Sequence, residues 1–232
     1  MKKQYSIDEV LKDLKSKAKP ENVEGMARFG ITGAKRLGIS MPELRKMGKA
    51  LGKDHALALK LWTTGIQDAM ILAALIDDPK EVTEEQAESW ARDIGSWDVC
   101  DQLCMNLLEK VPFVLKLVKQ WSKKEEEFVK RASFALIACL AWHDKKASDD
   151  FFIDLFPVIK SGASDNRNYV KKAVSWALRN IGKRNPNLNQ QALKLAKEIS
   201  KIDSKATRWI ASDVIRELES EAFRRRLKLD KD

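Results

Sequence analysis

Trp97 and Asp101 stand four residues apart in the stretch Ser96-Trp-Asp-Val-Cys-Asp-Gln-Leu103. In a helix that spacing stacks an indole and a carboxylate on one face. Val99, Cys100, Leu103 and Leu107 predict a core stripe. Trp97, Asp101, Cys104 and Leu108 predict a second stripe beside it, which Asp101 interrupts. A carboxylate set against an indole loses solvation, which favours its neutral form unless a cation or hydrogen-bond donors compensate. Two readings follow: a carboxylate held by an arginine or by backbone N–H groups, or one kept charged for chemistry.

A second candidate stretch runs from Asn168 to Lys183. Val170, Ala173, Val174, Ala177, Leu178 and Ile181 form a stripe that predicts a buried helix face. Trp176 falls off that stripe and shares a face with Lys172, Arg179 and Lys183, with Tyr169 one turn beyond Lys172. Arg167 and Arg184 add to the positive charge, against Asp165 alone in the segment. An indole among cations suits packing on a nucleic-acid sugar or base while the cations meet phosphate. The alternative is an indole covered by another helix, with lysine stems lying over it.

Between these stretches, Val129, Ala132, Leu136, Cys139 and Leu140 form one stripe, and Phe134, Ala135, Ala138 and Trp142 form another. A helix apolar on two sides is expected to lie between neighbours. Lys130 and Arg131 sit near its start. An arginine there either pairs with a carboxylate or reaches into a groove.

Other chemistries lack their residues. Cys100 and Cys104 could present two thiolates, but a structural zinc site needs four ligands, and His55 and His143 are not spaced to complete one. No metal site and no cofactor are expected. Two scattered histidines give no support to a Ser-His-Asp or Cys-His nucleophile, and no glycine-rich phosphate loop occurs.

The elements that must position these residues read as helices throughout, with apolar residues recurring at three and four. Ser6 is expected to cap the first. Ser40-Met-Pro-Glu43 and Thr83-Glu-Glu-Gln86 read as capping boxes, with Gly52 and Gly95 as stops. Ser96 restarts a helix toward Lys110. Further helices are expected from about Phe113, Glu125, Phe151, Asn168, Leu188 and Ser204, roughly a dozen in all, joined by turns of about 2–8 residues. Val129-Lys-Arg-Ala132 returns as Val170-Lys-Lys-Ala173, near the ~40–47-residue period of two-helix solenoids. The expectation is an all-α chain, a curved α-solenoid of helix pairs forming one domain over residues 1–232.

Composition is compatible with this. The 232 residues carry a formal net charge of +9, which suggests an anionic partner. No apolar run is long enough to cross a bilayer, and the first ten residues lack the apolar block of a signal peptide. Three cysteines are too few for a disulfide framework. A soluble, reducing, cytoplasmic setting is expected.

The order Ser96-Trp97-Asp98-x-x-Asp101, then Lys130-Arg131-Ala132, then Lys172-Ala173-x-x-Trp176-x-x-Arg179 and Asn185-Pro186 resembles the AlkD-type DNA alkylation repair glycosylases. The similarity runs from about Gly25 to Leu218. The resemblance implies an α-solenoid of HEAT-like helix pairs whose concave basic face holds duplex DNA. It implies hydrolysis of the N-glycosidic bond of N3- and N7-alkylated purines, leaving an abasic site, with no obligatory base-flipping pocket. Carried over, Asp101 matches the catalytic carboxylate, Trp97 and Trp176 the indoles on the damaged nucleotide's sugar, and Arg131 a basic residue at the DNA backbone. Tyr169, Lys172, Arg179, Lys183 and Lys130 are the further expected DNA contacts. A monomer associated with the nucleoid suits such an enzyme. The first motif departs from the family pattern: Ser96 precedes a single tryptophan, and Val99-Cys100 lies between the aspartates. The alternative is a non-catalytic HEAT-like scaffold that binds duplex or branched DNA, or a protein partner.

Overall fold

The structure is a computed structural model that describes residues 5–31 and 35–227. Among these the chain forms fifteen α-helices and one 3-10 turn, and no strand. It divides into two compact units, Met1–Phe113 and Val114–Asp232. The sequence offered no boundary there, because the break falls in Val111-Pro112-Phe113 and not in a polar linker.

The first unit holds α1 (Ile7–Ser16), α2 (Pro20–Ala27), α3 (Met41–Leu51), α4 (His55–Trp62), α5 (Gln67–Ile76), α6 (Glu84–Arg92), α7 (Trp97–Asn106) and the 3-10 turn Leu108–Lys110. Its centre is α5, whose run Ala69-Met-Ile-Leu-Ala-Ala74 is buried on every side. A helix apolar all round must be enclosed, and α3, α4 and α7 pack against it. Asp68, 1% exposed, sits in that core because it accepts from the backbone N–H of Leu37 (2.7 Å) and Ile39 (2.9 Å). It ties an irregular segment to the helix.

The capping signals were partly overruled by tertiary partners. Ser6 and Glu9 form a complete capping box on α1. Ser40 begins α3 without a side-chain cap; Glu43, the acid of that expected box, instead meets Lys17 of α1 at 3.1 Å. Thr83 does accept from Gln86 N, but the Gln86 amide goes to buried Asp77, at 2.7 Å. The helix begun by Ser96 ends at Asn106, short of Lys110.

The second unit holds α8 (Val114–Trp121), α9 (Glu127–His143), α10 (Asp149–Ile153), α11 (Phe156–Gly162), α12 (Asn168–Gly182), α13 (Pro186–Ile199), α14 (Lys205–Leu218) and α15 (Glu221–Leu227). The single helix expected from Phe151 is two: Pro157 is tolerated only in the first turn of a helix, so the chain breaks before it and restarts at Phe156. α9 and α12 share the largest interface, and α12 in turn packs on α14, while α8 backs α9, α11 backs α12, and α13 packs on both α12 and α14. The tetrapeptides at 129 and 170 thus open two helices that lie side by side, as the repeat implied.

Hydrogen bonds cross the repeats at nearly the same spacing. Asn180 Nδ2 donates to the Ala138 carbonyl (3.0 Å) and Arg184 Nη1 to the Ala141 carbonyl (2.8 Å). The repeats also approach closely at Gly162, where a Cβ would lie 2.1 Å from Cζ of the fully buried Phe134 ring.

Candidate nucleic-acid interface

Seven tryptophans divide by environment. Trp62, Trp90 and Trp121 are buried, and the first two stack face to face at 4.0 Å. Trp97, Trp142, Trp176 and Trp209 reach solvent. Only the second set can meet a ligand.

α7 begins at Ser96, which is 2% exposed and extended (φ −152°, ψ 154°). Its hydroxyl does not cap the helix. It donates to Asp98 Oδ1 at 2.6 Å. Arg36, its side chain 2% exposed, forks onto the same carboxylate at 2.7 and 3.0 Å and also meets Gln67 Oε1. Such a bidentate pair fixes position as well as charge. The arginine-held acid of this stretch is therefore Asp98, whereas the sequence raises the expectation of such a partner for Asp101. Asp101, one turn on, is half-buried beside Trp97, also half-buried. Trp97 Nε1 donates to the Phe29 carbonyl at 3.2 Å, which fixes the indole's tilt. Cys104 and Leu108, further along that stripe, are buried. The rim of α7 thus offers a flat apolar face and a carboxylate. That pair can stabilise a developing cation.

On α12 the stripe from Val170 to Ile181 is buried as expected, and Trp176 is half-exposed. Lys172 is exposed. The remaining cations are not free. Arg179 meets Asp213 (3.3 Å) and Glu217, and Lys183 meets Glu217. Burial pushes the Glu217 carboxyl up, but hydrogen bonds from Lys183 and Arg179 outweigh it and hold it below the usual range. Arg167 and Lys130 converge on Asp165, at 2.6 and 3.2 Å. The Arg167 hydrogen bond, against burial, lowers that carboxyl to about 2. Arg131 is 5% exposed, and its Nη1 donates to the Tyr169 carbonyl at 2.8 Å. It links α9 to the first turn of α12. Tyr169 is half-buried, its ring 5.3 Å from Phe128.

A model of the family described as DNA alkylation repair enzyme matches residues 10–218. The chain belongs to that family. A solved structure described as a new family of proteins related to the HEAT-like repeat DNA glycosylases, with affinity for branched DNA structures, superposes with a TM-score of 0.75. It is 20% identical and covers 92% of this chain and 95% of its own. A designed armadillo repeat protein in complex with the peptide (KR)4 is 16% identical, covering 80% of this chain and 79% of its own, with a TM-score of 0.38. No curated protein matches by sequence. The fold of this DNA alkylation repair family member is accordingly all-α and HEAT-like. Among its described residues no helix is long and apolar enough to cross a membrane.

One functional candidate escaped the sequence reading of this family member. Trp142 belongs to an apolar stripe with Phe134, Ala135 and Ala138, which are buried, yet it is 53% exposed. The last turn of α9 leaves the enclosure that covers the rest of the helix, so the stripe continues into solvent. A signal existed: Trp142 is followed at once by His143-Asp-Lys-Lys146, a polar run that marks the end of the apolar stripe.

Proposed function

We propose that this protein hydrolyses the N-glycosidic bond of N3- and N7-alkylated purines in duplex DNA and leaves an abasic site. Alkylation at either nitrogen makes the purine cationic, so it departs as a neutral base without a general acid. The C1′–N bond electrons leave with the base, and the sugar becomes an oxocarbenium-like cation. Asp101 supplies the negative charge for that cation and accepts a proton from the water that adds to C1′. Trp97 contributes an indole face to the sugar, a role that the family resemblance assigns to Trp176 as well. Lys172 and Tyr169 meet the DNA backbone, together with Arg179, Lys183 and Lys130 where their carboxylate partners release them. Arg131 acts through its grip on Tyr169. The observation that supports this reading is the match to the DNA alkylation repair family over residues 10–218, with Trp97 and Asp101 one turn apart and half-buried on α7.

Incubation with methylated duplex DNA tests it. Release of 3-methyladenine or 7-methylguanine is expected. Asp101→Asn should lower excision by about 10²–10³-fold, the scale of losing one electrostatic stabiliser, while DNA affinity persists. Normal excision by the variant would remove Asp101 from the mechanism.

A second reading is a DNA-binding protein without base excision. It is favoured by the likeness to a protein described by its affinity for branched DNA. No base release, combined with DNA binding whose log–log salt slope is about −0.9 per neutralised phosphate, would select it.

A further inference from the structure

The C-terminal turns of α9 and α12 enclose an open groove of about 570 Å3, lined by Trp142, Lys145, Trp176, Asn180, Lys183 and Arg184. None of its lining residues is acidic. Trp142, at 53%, is the most exposed indole in the protein, and its ring lies 5.0 Å from that of His143 at an angle of 22°. Arg184 is fixed by hydrogen bonds to the carbonyls of Ala141 (2.8 Å) and Ala147 (3.2 Å) and lies over the Phe152 ring. Asn180 is anchored through Nδ2 on the Ala138 carbonyl, which leaves its Oδ1 as an acceptor. Lys145 is exposed and makes no ion pair among the described residues.

We infer that this groove binds an unpaired nucleotide of a DNA strand, with its base stacked on Trp142 and its phosphate met by Lys145, which Lys183 joins only where Glu217 releases it. A base can stack on an indole only when its own face is uncovered, and in a duplex both faces are covered by neighbouring pairs. Every base has such a face, so the site tolerates sequence. The Asn180 amide meets a base edge. The volume falls within the ~300–1,000 Å3 of small-ligand pockets, which suits one nucleotide and not a double helix. An acidic peptide would also be drawn by the cations, but it makes no use of a flat indole beside an amide.

The inference rests on the reading of this protein as DNA-binding, and the experiment separates the two. Three labelled probes are titrated by fluorescence anisotropy: a blunt duplex, the same duplex with a short single-stranded flap, and oligo(dT). Wild type should prefer the flap. Trp142→Ala should weaken flap and oligo(dT) binding by about 5- to 100-fold, with blunt-duplex affinity changed by less than about twofold. Oligo(dT) should quench indole emission in wild type and quench it less in the variant. Lys145→Glu, at an exposed position, should also weaken flap binding and flatten its salt dependence by about 0.7–0.9 in log–log slope. It provides the answer if Trp142→Ala fails to fold. A retained flap preference in either folded variant overturns the inference and leaves DNA binding standing. Equal losses on flap and blunt duplex also overturn it, because the groove is then ordinary duplex surface. An acidic peptide that occupies the groove without competition from oligo(dT) overturns it too. Failure of wild type to bind any probe takes the DNA-binding reading down with it.

Discussion

The start of α7 and the outer face of α12 each present a half-exposed indole in charged company, and they resolve that charge in opposite ways. On α7 an acid is held by a buried cation, Arg36, from 62 residues upstream. On α12 two cations are held by acids, Asp213 and Glu217, from α14. In the first case a second carboxylate, Asp101, lies one turn on, half-buried like Trp97. In the second the pairing neutralises residues that look like phosphate contacts in the sequence. A charged side chain is available for function only after its tertiary partners are known. Both indoles remain partly exposed.

The contrast has measurable consequences. The largest should come from Arg36→Met. Removing one partner of a buried ion pair leaves Asp98 uncompensated, which costs about 3–5 kcal/mol. The chemical-denaturation midpoint should fall sharply, and the proposed excision should fall with it because the start of α7 loses its anchor. A variant of wild-type stability would show that Arg36 does not hold this turn.

Glu217→Gln should act in the other direction, on binding. It keeps the shape but frees Lys183 and leaves Arg179 with Asp213 alone, so affinity for duplex should rise roughly three- to tenfold at low salt and the salt slope should steepen by up to about 0.9 per added phosphate contact. Unchanged affinity and slope would mean that neither cation faces DNA.

Asp165→Asn should give the smallest effect. A carboxyl held at about 2 in the folded chain and near 3.9 when unfolded favours the folded state above about pH 4. That contribution disappears as pH falls through about 2. With solvent screening it amounts to about 1 kcal/mol at neutral pH. Urea melts of variant and wild type should therefore differ at pH 7 and converge as the solution is acidified. A gap that stays constant with pH would assign the loss to packing.

Much of the fold was legible in the sequence because it follows from local rules. Helical periodicity, the Ser6 cap and the tetrapeptide recurrence at 129 and 170 need no distant information. Three features were not legible, and each depended on a distant partner. Glu43 and Gln86 left their capping boxes for Lys17 and Asp77. The lone Asp165 proved to be one of several acids that balance the basic segment. Trp142 matched a buried stripe in type and spacing, and only the end of its enclosure decided its exposure. Within the candidate site, the placing of Trp97 and Asp101 one turn apart on a helix was readable from spacing alone. The buried position of Arg131 and its carbonyl partner were not, since an arginine's type does not say what it will hold.

The approach of Phe134 to Gly162 has a consequence for how this unit can change. The aromatic ring acts as a shim whose thickness sets how far α11 stands from α9, and the bare backbone opposite gives it a seat. Alanine at 162 would wedge the two apart. Lineages that lose the ring are then free to refill the seat, whereas those that keep it are confined to a single residue at that position.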